Sequence, residues 1–142
     1  MLIIVMLALM VASPVAQATP APHVPTPPFA ADLRVPPKTP YQMEVSFRPS
    51  VGHDLEEVRT FYLNWAKDQK WRQVSGKEES WSRDEWFSYI NQEGRELRQR
   101  FSHWVDPTGQ WSVRLVLRSY PATREERAYV LLMPFHNLDK VQ

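Results

Sequence analysis

Three stretches of this sequence predict a two-layer α+β domain in which one helix lies on a curled antiparallel sheet. Arg95 to Tyr120 reads as a long β-hairpin around the turn Asp106-Pro107-Thr108-Gly109, where Pro presets φ and Gly accepts a left-handed conformation. Asp54 to Lys70 repeats apolar residues at helical spacing behind a capping residue. Tyr41 to Arg48 alternates apolar and polar residues with the period of a half-buried strand. The predicted order is therefore β-α followed by an antiparallel meander of four or five strands, and one helix suffices to cover one face of such a sheet.

The ends of the chain read differently from its middle. Met1 to Ala12 is an apolar run without a charged side chain, and Ala16-Gln17-Ala18 follows it. A run this short suits the apolar region of a secretory signal better than a bilayer-spanning helix, which needs roughly 20 apolar residues. Residues 1–18 are accordingly predicted to be a signal peptide cleaved after Ala18, and the protein is expected to be periplasmic or secreted. Without cysteine, the chain has neither disulfides nor a lipid-bearing cysteine after the signal, so no stable membrane anchor is expected after cleavage and stability must come from packing. Six Trp, five Tyr and six Phe supply that packing, and some of them must reach the surface. The formal net charge of +1 argues against a general nucleic-acid binder, so any electrostatic recognition must be local.

Thr19 to Pro40 contains eight prolines in twenty-two residues and is predicted to be an extended tether, with Phe29 and Leu33 able to lie against the domain. The single folded domain is placed at residues 41–136, with a frayed tail at 137–142. Within it, Pro49 ends the first strand. Asp54 with Glu57 three residues later forms a capping box, and Leu55, Val58, Tyr62, Trp65 and Ala66 mark the buried stripe of the helix. Glu56 and Glu57 near its start and Lys67 and Lys70 near its end match the helix dipole.

Trp71 to Val74 is short and β-prone, Lys77 to Ser82 reads as a polar loop, and Trp86 to Ile90 reads as a strand closed by the turn Asn91-Gln92-Glu93-Gly94. After the hairpin, Tyr129 to Met133 is a strand apolar on both faces. Its Val130 and Leu132 require a cover, supplied either by the proline-rich segment or by a second copy of the chain.

The hairpin carries the candidate site. A three-residue loop places Asp106 opposite Gln110, and the strands then pair so that His103 meets Val113 and Phe101 meets Leu115 on the helix side, with Leu97, Val105 and Leu117 sharing that core face. The outward face then carries Arg98 opposite Arg118, with Arg100, Trp104, Arg114 and Tyr120 around them. Four arginines among aromatic rings suit an anionic partner, either a protein or an anionic component of the cell envelope. The like-charged pair Arg98–Arg118 calls for a neutralising group, for which Glu44 is the intramolecular candidate and a ligand the alternative.

Other chemistry finds little in the sequence. The four histidines are far apart, and no H-E-x-x-H, G-x-S-x-G or glycine-rich phosphate loop is present, so neither a metal, a cofactor nor a catalytic residue is assigned. Glu78-Glu79 and Asp84-Glu85 read as solvating charges in a polar loop.

Arg72-Gln73-Val74-Ser75-Gly76, after the helix, matches a Q-x-V-x-G loop at Val74 and Gly76 and departs from it with Arg72 in place of glutamine. In this loop and in the order of strand, long helix and antiparallel meander, the chain resembles the cystatins, small protease inhibitors. Their second loop has an adjacent Pro-Trp pair, whereas Pro107 and Trp111 stand apart here. The resemblance implies a cystatin-like fold order and, less directly, protease inhibition.

The leading functional expectation is an exported, non-catalytic binding or adaptor module. The alternatives are a small enzyme or protease-inhibitor-like protein with a loop-built site, and a structural subunit that forms oligomers through residues 129–133.

Overall fold

The computed structural model describes residues 20–37, 42–75 and 84–135. The predicted signal peptide, the loop at 77–82 and the tail at 137–142 lie outside the described residues. One helix packs on a seven-stranded antiparallel sheet, which is the two-layer α+β arrangement expected from the sequence. Strands β1 (Ala30–Arg34) and β2 (Met43–Pro49) precede helix α1 (Leu55–Asp68). Strands β3 (Arg72–Gln73), β4 (Phe87–Ile90), β5 (Glu96–Val105), β6 (Trp111–Tyr120) and β7 (Glu125–Pro134) follow it. Their spatial order is β1-β2-β7-β6-β5-β3, with β4 also paired to β5. The last strand thus sits at the centre, between the strand that precedes the helix and the long hairpin.

The helix starts where the capping residue predicts. The Asp54 side chain accepts a hydrogen bond from the Glu57 amide, filling one of the donors that a helix start leaves open. Leu55, Val58, Tyr62 and Ala66 form its buried stripe against β6 and β7. Trp65 is partly buried and packs at the margin, its ring 4.9 Å from that of Trp71. At the other end Trp71 N–H donates to Ala66 C=O and Lys70 N–H to Lys67 C=O, with Lys70 itself at φ 60°. This is a Schellman close with lysine where glycine is the relaxed residue. Lys70→Gly is expected to stabilise the fold by about 1 kcal/mol. An unchanged denaturation midpoint would show that Lys70 relaxes out of the left-handed region.

The core between helix and sheet contains Phe47, Val113, Leu115, Leu117, Ala128, Val130, Leu132 and Trp104. The proline-rich segment helps to close it. Phe29 stacks on His53 with centroids 4.6 Å apart, Tyr62 Oη–H donates to Pro25 C=O, and Val24 packs against the core. Pro22, Val24 and Pro25 join Val130 and Leu132 around a small apolar cavity of about 170 Å³, so this segment covers the end of β7 as one of the two expectations required. Over its described part the predicted tether is therefore an ordered strap that contains β1. Ala30–Arg34 lies within its longest stretch without proline, Phe29 to Val35, and can offer amides to β2.

The hairpin register differs from expectation by one residue. Observed pairs are Phe101–Val116, His103–Arg114, Trp104–Val113 and Arg98–Ser119. The cause is at the turn. The Asp106 carboxylate accepts from the Gln110 and Trp111 amides and from Thr108 Oγ, and the Asp106 amide donates to Trp111 C=O. A side chain standing in for a backbone acceptor lets the loop hold four residues instead of three. Gly109 takes the left-handed position, at φ 73°. One residue of slip exchanges the faces of one strand relative to its partner. Trp104 therefore joins Val113 in the core, whereas His103, Leu97, Phe101 and Val105 lie on the face away from the helix.

Candidate functional site

The predicted site residues separate into three environments. Trp104 is 2 % exposed and belongs to the core. Arg98 and Arg100 lie toward the helix side, and Arg114, Arg118 and Tyr120 lie on the opposite face. The pairing of Arg98 with Arg118, and with it the single outward face holding all six residues, is corrected by the four-residue turn.

On the helix side, Arg98 sits over the Trp86 ring at 5.3 Å, and Trp86 Nε1–H donates to Glu56. Arg100 serves the fold. Its Nε donates to Asp84 Oδ1 at 2.6 Å, and the same carboxylate accepts from Arg59, from Gln73 Nε2 at 3.0 Å and from Ser102 Oγ at 2.9 Å. Burial alone would raise the Asp84 carboxyl, but donors from Arg59, Arg100, Gln73 and Ser102 outweigh it and hold the group well below the ordinary carboxylate range. The sequence placed Asp84 among solvating loop charges. No local pattern marks it, because its partners come from the helix, β3 and β5.

The face away from the helix is covered by its own long side chains. Gln99 is buried. Its amide donates to Tyr89 Oη at 2.7 Å and its carbonyl accepts from Arg118 Nε at 2.9 Å. Arg118 lies over the Tyr129 ring at 5.0 Å, and Arg95 lies over the Tyr120 ring at 4.5 Å. Phe87 stacks on Phe101 at 5.5 Å, and the buried His103 ring sits 6.0 Å from Phe135. Two arginine–tyrosine pairs and a fixed amide relay thus form an ordered polar surface, which signals at separated sequence positions could not disclose.

Arg118 pairs directly with Arg127 across β6 and β7, so two like charges do meet on this face, though not the two expected. Arg127 is neutralised. It donates to Asp32 Oδ2 at 3.1 Å, to Asp32 C=O at 3.0 Å and to Ser46 Oγ at 3.0 Å. Asp32 is exposed, and the desolvation it does suffer is outweighed by Arg34 and then Arg127, so its carboxyl is held below its usual value. Asp32 occupies φ 51° in a bulge of β1, a shape that brings both its carbonyl and its carboxylate to Arg127. Arg118 has no carboxylate partner among the described residues. Glu44, the expected neutraliser, pairs with Leu131 on β7.

At the end of this face, where the β6–β7 turn meets the start of the helix, a cleft of about 610 Å³ opens beside Asp32. Arg34, Arg48, Arg95, Arg124 and Arg127 line it together with Tyr120 and Tyr129. Of its carboxylates, Glu125 is 3.9 Å from Arg95, and Glu126 is pushed up by burial and by the neighbouring Asp54. Sequence reading found Tyr120 but missed Arg48, Arg95, Arg124 and Arg127, which lie on β2, at turns and on β7.

Val74, one of the two residues that match a cystatin-type loop, is 2 % exposed and its amide donates to His103 C=O. It belongs to the interior instead of a protruding tip, and Gly76 lies outside the described residues. Among the described residues, no cluster of three or more His, Asp or Glu could hold a metal, and no helix is long and apolar enough to cross a membrane. No protein-family model, curated protein or solved structure matches the chain. The fold and this face define a two-layer α+β domain with an arginine–tyrosine sheet surface.

Proposed function

We propose that this protein is an exported, non-catalytic binding module that engages an anionic partner through the sheet face away from the helix. The observation that carries this reading is the row of arginines held in place on that face by aromatic rings and an amide. Arg95 rests on Tyr120, and Arg118 is fixed between Tyr129 and Gln99, so little side-chain freedom is left to lose on binding. Arginine is suited to such a surface because its planar donors meet carboxylate, sulfate or phosphate groups in pairs. Of the residues first assigned to binding, Arg114, Arg118 and Tyr120 stay in this surface, joined by Arg48, Arg95, Arg124 and Arg127. The reading of export rests on the apolar run Met1 to Ala12 with its following Ala16-Gln17-Ala18, and sequencing the N-terminus of the mature protein tests it.

Strand β7 is paired on both sides, so an oligomer could not form there by strand addition. Contact through this strand would have to use the face carrying Tyr129, Leu131 and Met133.

Retention on immobilised dextran sulfate tests the anion-binding reading. The wild-type chain is expected to be retained at low salt, and the Arg95→Gln/Arg118→Gln variant to elute at clearly lower salt with a flatter salt dependence. Equal elution of both proteins would remove this face as the binding surface.

A further inference from the structure

We propose that the cleft beside Asp32 is a site for a phosphomonoester, an inference that rests on the anion-binding reading above and adds the ligand's chemical class. Five arginines and three carboxylates line the cleft, leaving a formal excess of two positive charges with His53 neutral. The excess has an address. Arg127 and Arg34 share Asp32, leaving one positive charge that Glu126 formally offsets, and Arg95 faces Glu125, whereas Arg48 and Arg124 form no ion pair among the described residues. Two positive charges in one cleft call for two negative charges, and a phosphomonoester carries about that charge on a single group near neutral pH.

Backbone geometry supports a role for Arg124 beyond the turn. It closes the turn after Tyr120 at φ 57°, a conformation that glycine adopts without strain and a long side chain does not. The turn by itself favours glycine, so the guanidinium is the feature that arginine adds at the cleft mouth. Arg48 stands one residue beyond the Phe47–Ala128 pair, on the sheet face away from the core, and opposite Ala31, which leaves its side chain room at the cleft. The cleft volume lies within the range of small-ligand sites, larger than inorganic phosphate requires and suited to a phosphate with an organic body. The Tyr120 and Tyr129 rings supply apolar surface for that body. A peptide adding to the edge of β1 fits less well, since the bulge at Asp32 interrupts the edge that such a peptide would extend.

The test titrates the full chain with phenyl phosphate by calorimetry, while the arginine Nε–H signals are followed by NMR. Phenyl phosphate is expected to bind and to shift the Arg48 and Arg124 signals. Arg48→Gln and Arg124→Gln are each expected to weaken binding about tenfold, as loss of a charge-assisted contact does. Methyl phenyl phosphate, a diester with one charge, is expected to bind at least tenfold more weakly. Vesicles of phosphatidylcholine with phosphatidate present the same phosphomonoester on a lipid. Sedimentation of the protein with them, but not with phosphatidylcholine alone, assigns a lipid source, and binding of phenyl phosphate without sedimentation assigns a soluble one.

The proposal is overturned if the diester binds as tightly as the monoester, or if the Arg48→Gln/Arg124→Gln variant, folded by circular dichroism, binds phenyl phosphate like the wild type. Retention on dextran sulfate without phenyl phosphate binding would remove this site and leave the broader reading standing, and loss of both would remove both.

Discussion

Replacing Trp104 by alanine is expected to destabilise the domain by about 3–5 kcal/mol, the range for deleting a large aromatic from a packed core. Trp104 is 2 % exposed, pairs with Val113 on β6 and sits in the cluster that also holds Tyr62, Leu115 and Val130. The surrounding strands are tied into one sheet, so collapse around the vacated space would be incomplete and the cavity cost would persist. Urea denaturation followed by far-ultraviolet circular dichroism measures the loss without depending on the tryptophan removed. A loss below 1 kcal/mol would place Trp104 on the surface and restore the hairpin register in which Asp106 faces Gln110. Trp65→Ala, at the margin of the core, should cost distinctly less than Trp104→Ala.

Trp104 also shows how far the sequence reaches. The hairpin, its turn residues and the alternation of its strands are legible, because each rests on local chemistry: Pro107 and Gly109 in the turn, and apolar residues at period two on either side. Register is a different quantity. It depended on whether the Asp106 carboxylate would accept the Gln110 and Trp111 amides, and both turn lengths satisfy the same four letters. Since His103, Arg114 and Phe101 accompany aliphatic residues on the second face, both faces of β5 and β6 carry enough apolar surface that hydrophobic patterning could not arbitrate. The helix suffers no such ambiguity: its capping residue and the stripe Leu55, Val58, Tyr62 and Ala66 point the same way.

The candidate site fared as the register did. Its aromatic and basic composition was visible, and Arg114, Arg118 and Tyr120 share a face as expected. The other arginines are brought to that face by pairing between distant parts of the chain. Arg127 is placed by the central position of β7, and Asp32, which holds it, comes from a segment whose prolines suggested a free tether. Ala30–Arg34 lacks both strong β propensity and a clean alternation, so only its pairing with β2 reveals it as a strand.

Asp84→Asn is expected to cost about 2–3 kcal/mol at pH 7, because it leaves the largely buried Arg59 guanidinium without its carboxylate and the Arg100 guanidinium with only the more exposed Glu56, 3.7 Å away. Arg59 and Arg100 side chains are 19 % and 17 % exposed, intermediate between a surface pair of little worth and a fully buried one. Ser102 and Gln73 also donate to this carboxylate, and asparagine offers one oxygen where Asp84 offers two.

The pH dependence separates this ion network from a packing effect. The Asp84 carboxyl is depressed in the fold, so as pH falls the unfolded chain takes up its proton first, near the ordinary value of about 3.9. Its stabilisation is therefore fully present above that value and is lost as pH falls toward the lowered folded value. Wild type and Asp84→Asn should differ by a constant amount between about pH 5 and 7 and converge progressively below about pH 4. Urea midpoints measured across that range, at fixed ionic strength, report the difference directly. Removing Arg59 and Arg100 together with the carboxylate, as Arg59→Met/Arg100→Met/Asp84→Asn, should recover part of the loss, since no charge is then left buried without its partner. A difference that persists undiminished at pH 2, or a triple variant less stable than Asp84→Asn alone, would show that Asp84 acts through the shape of its side chain and not through its charge.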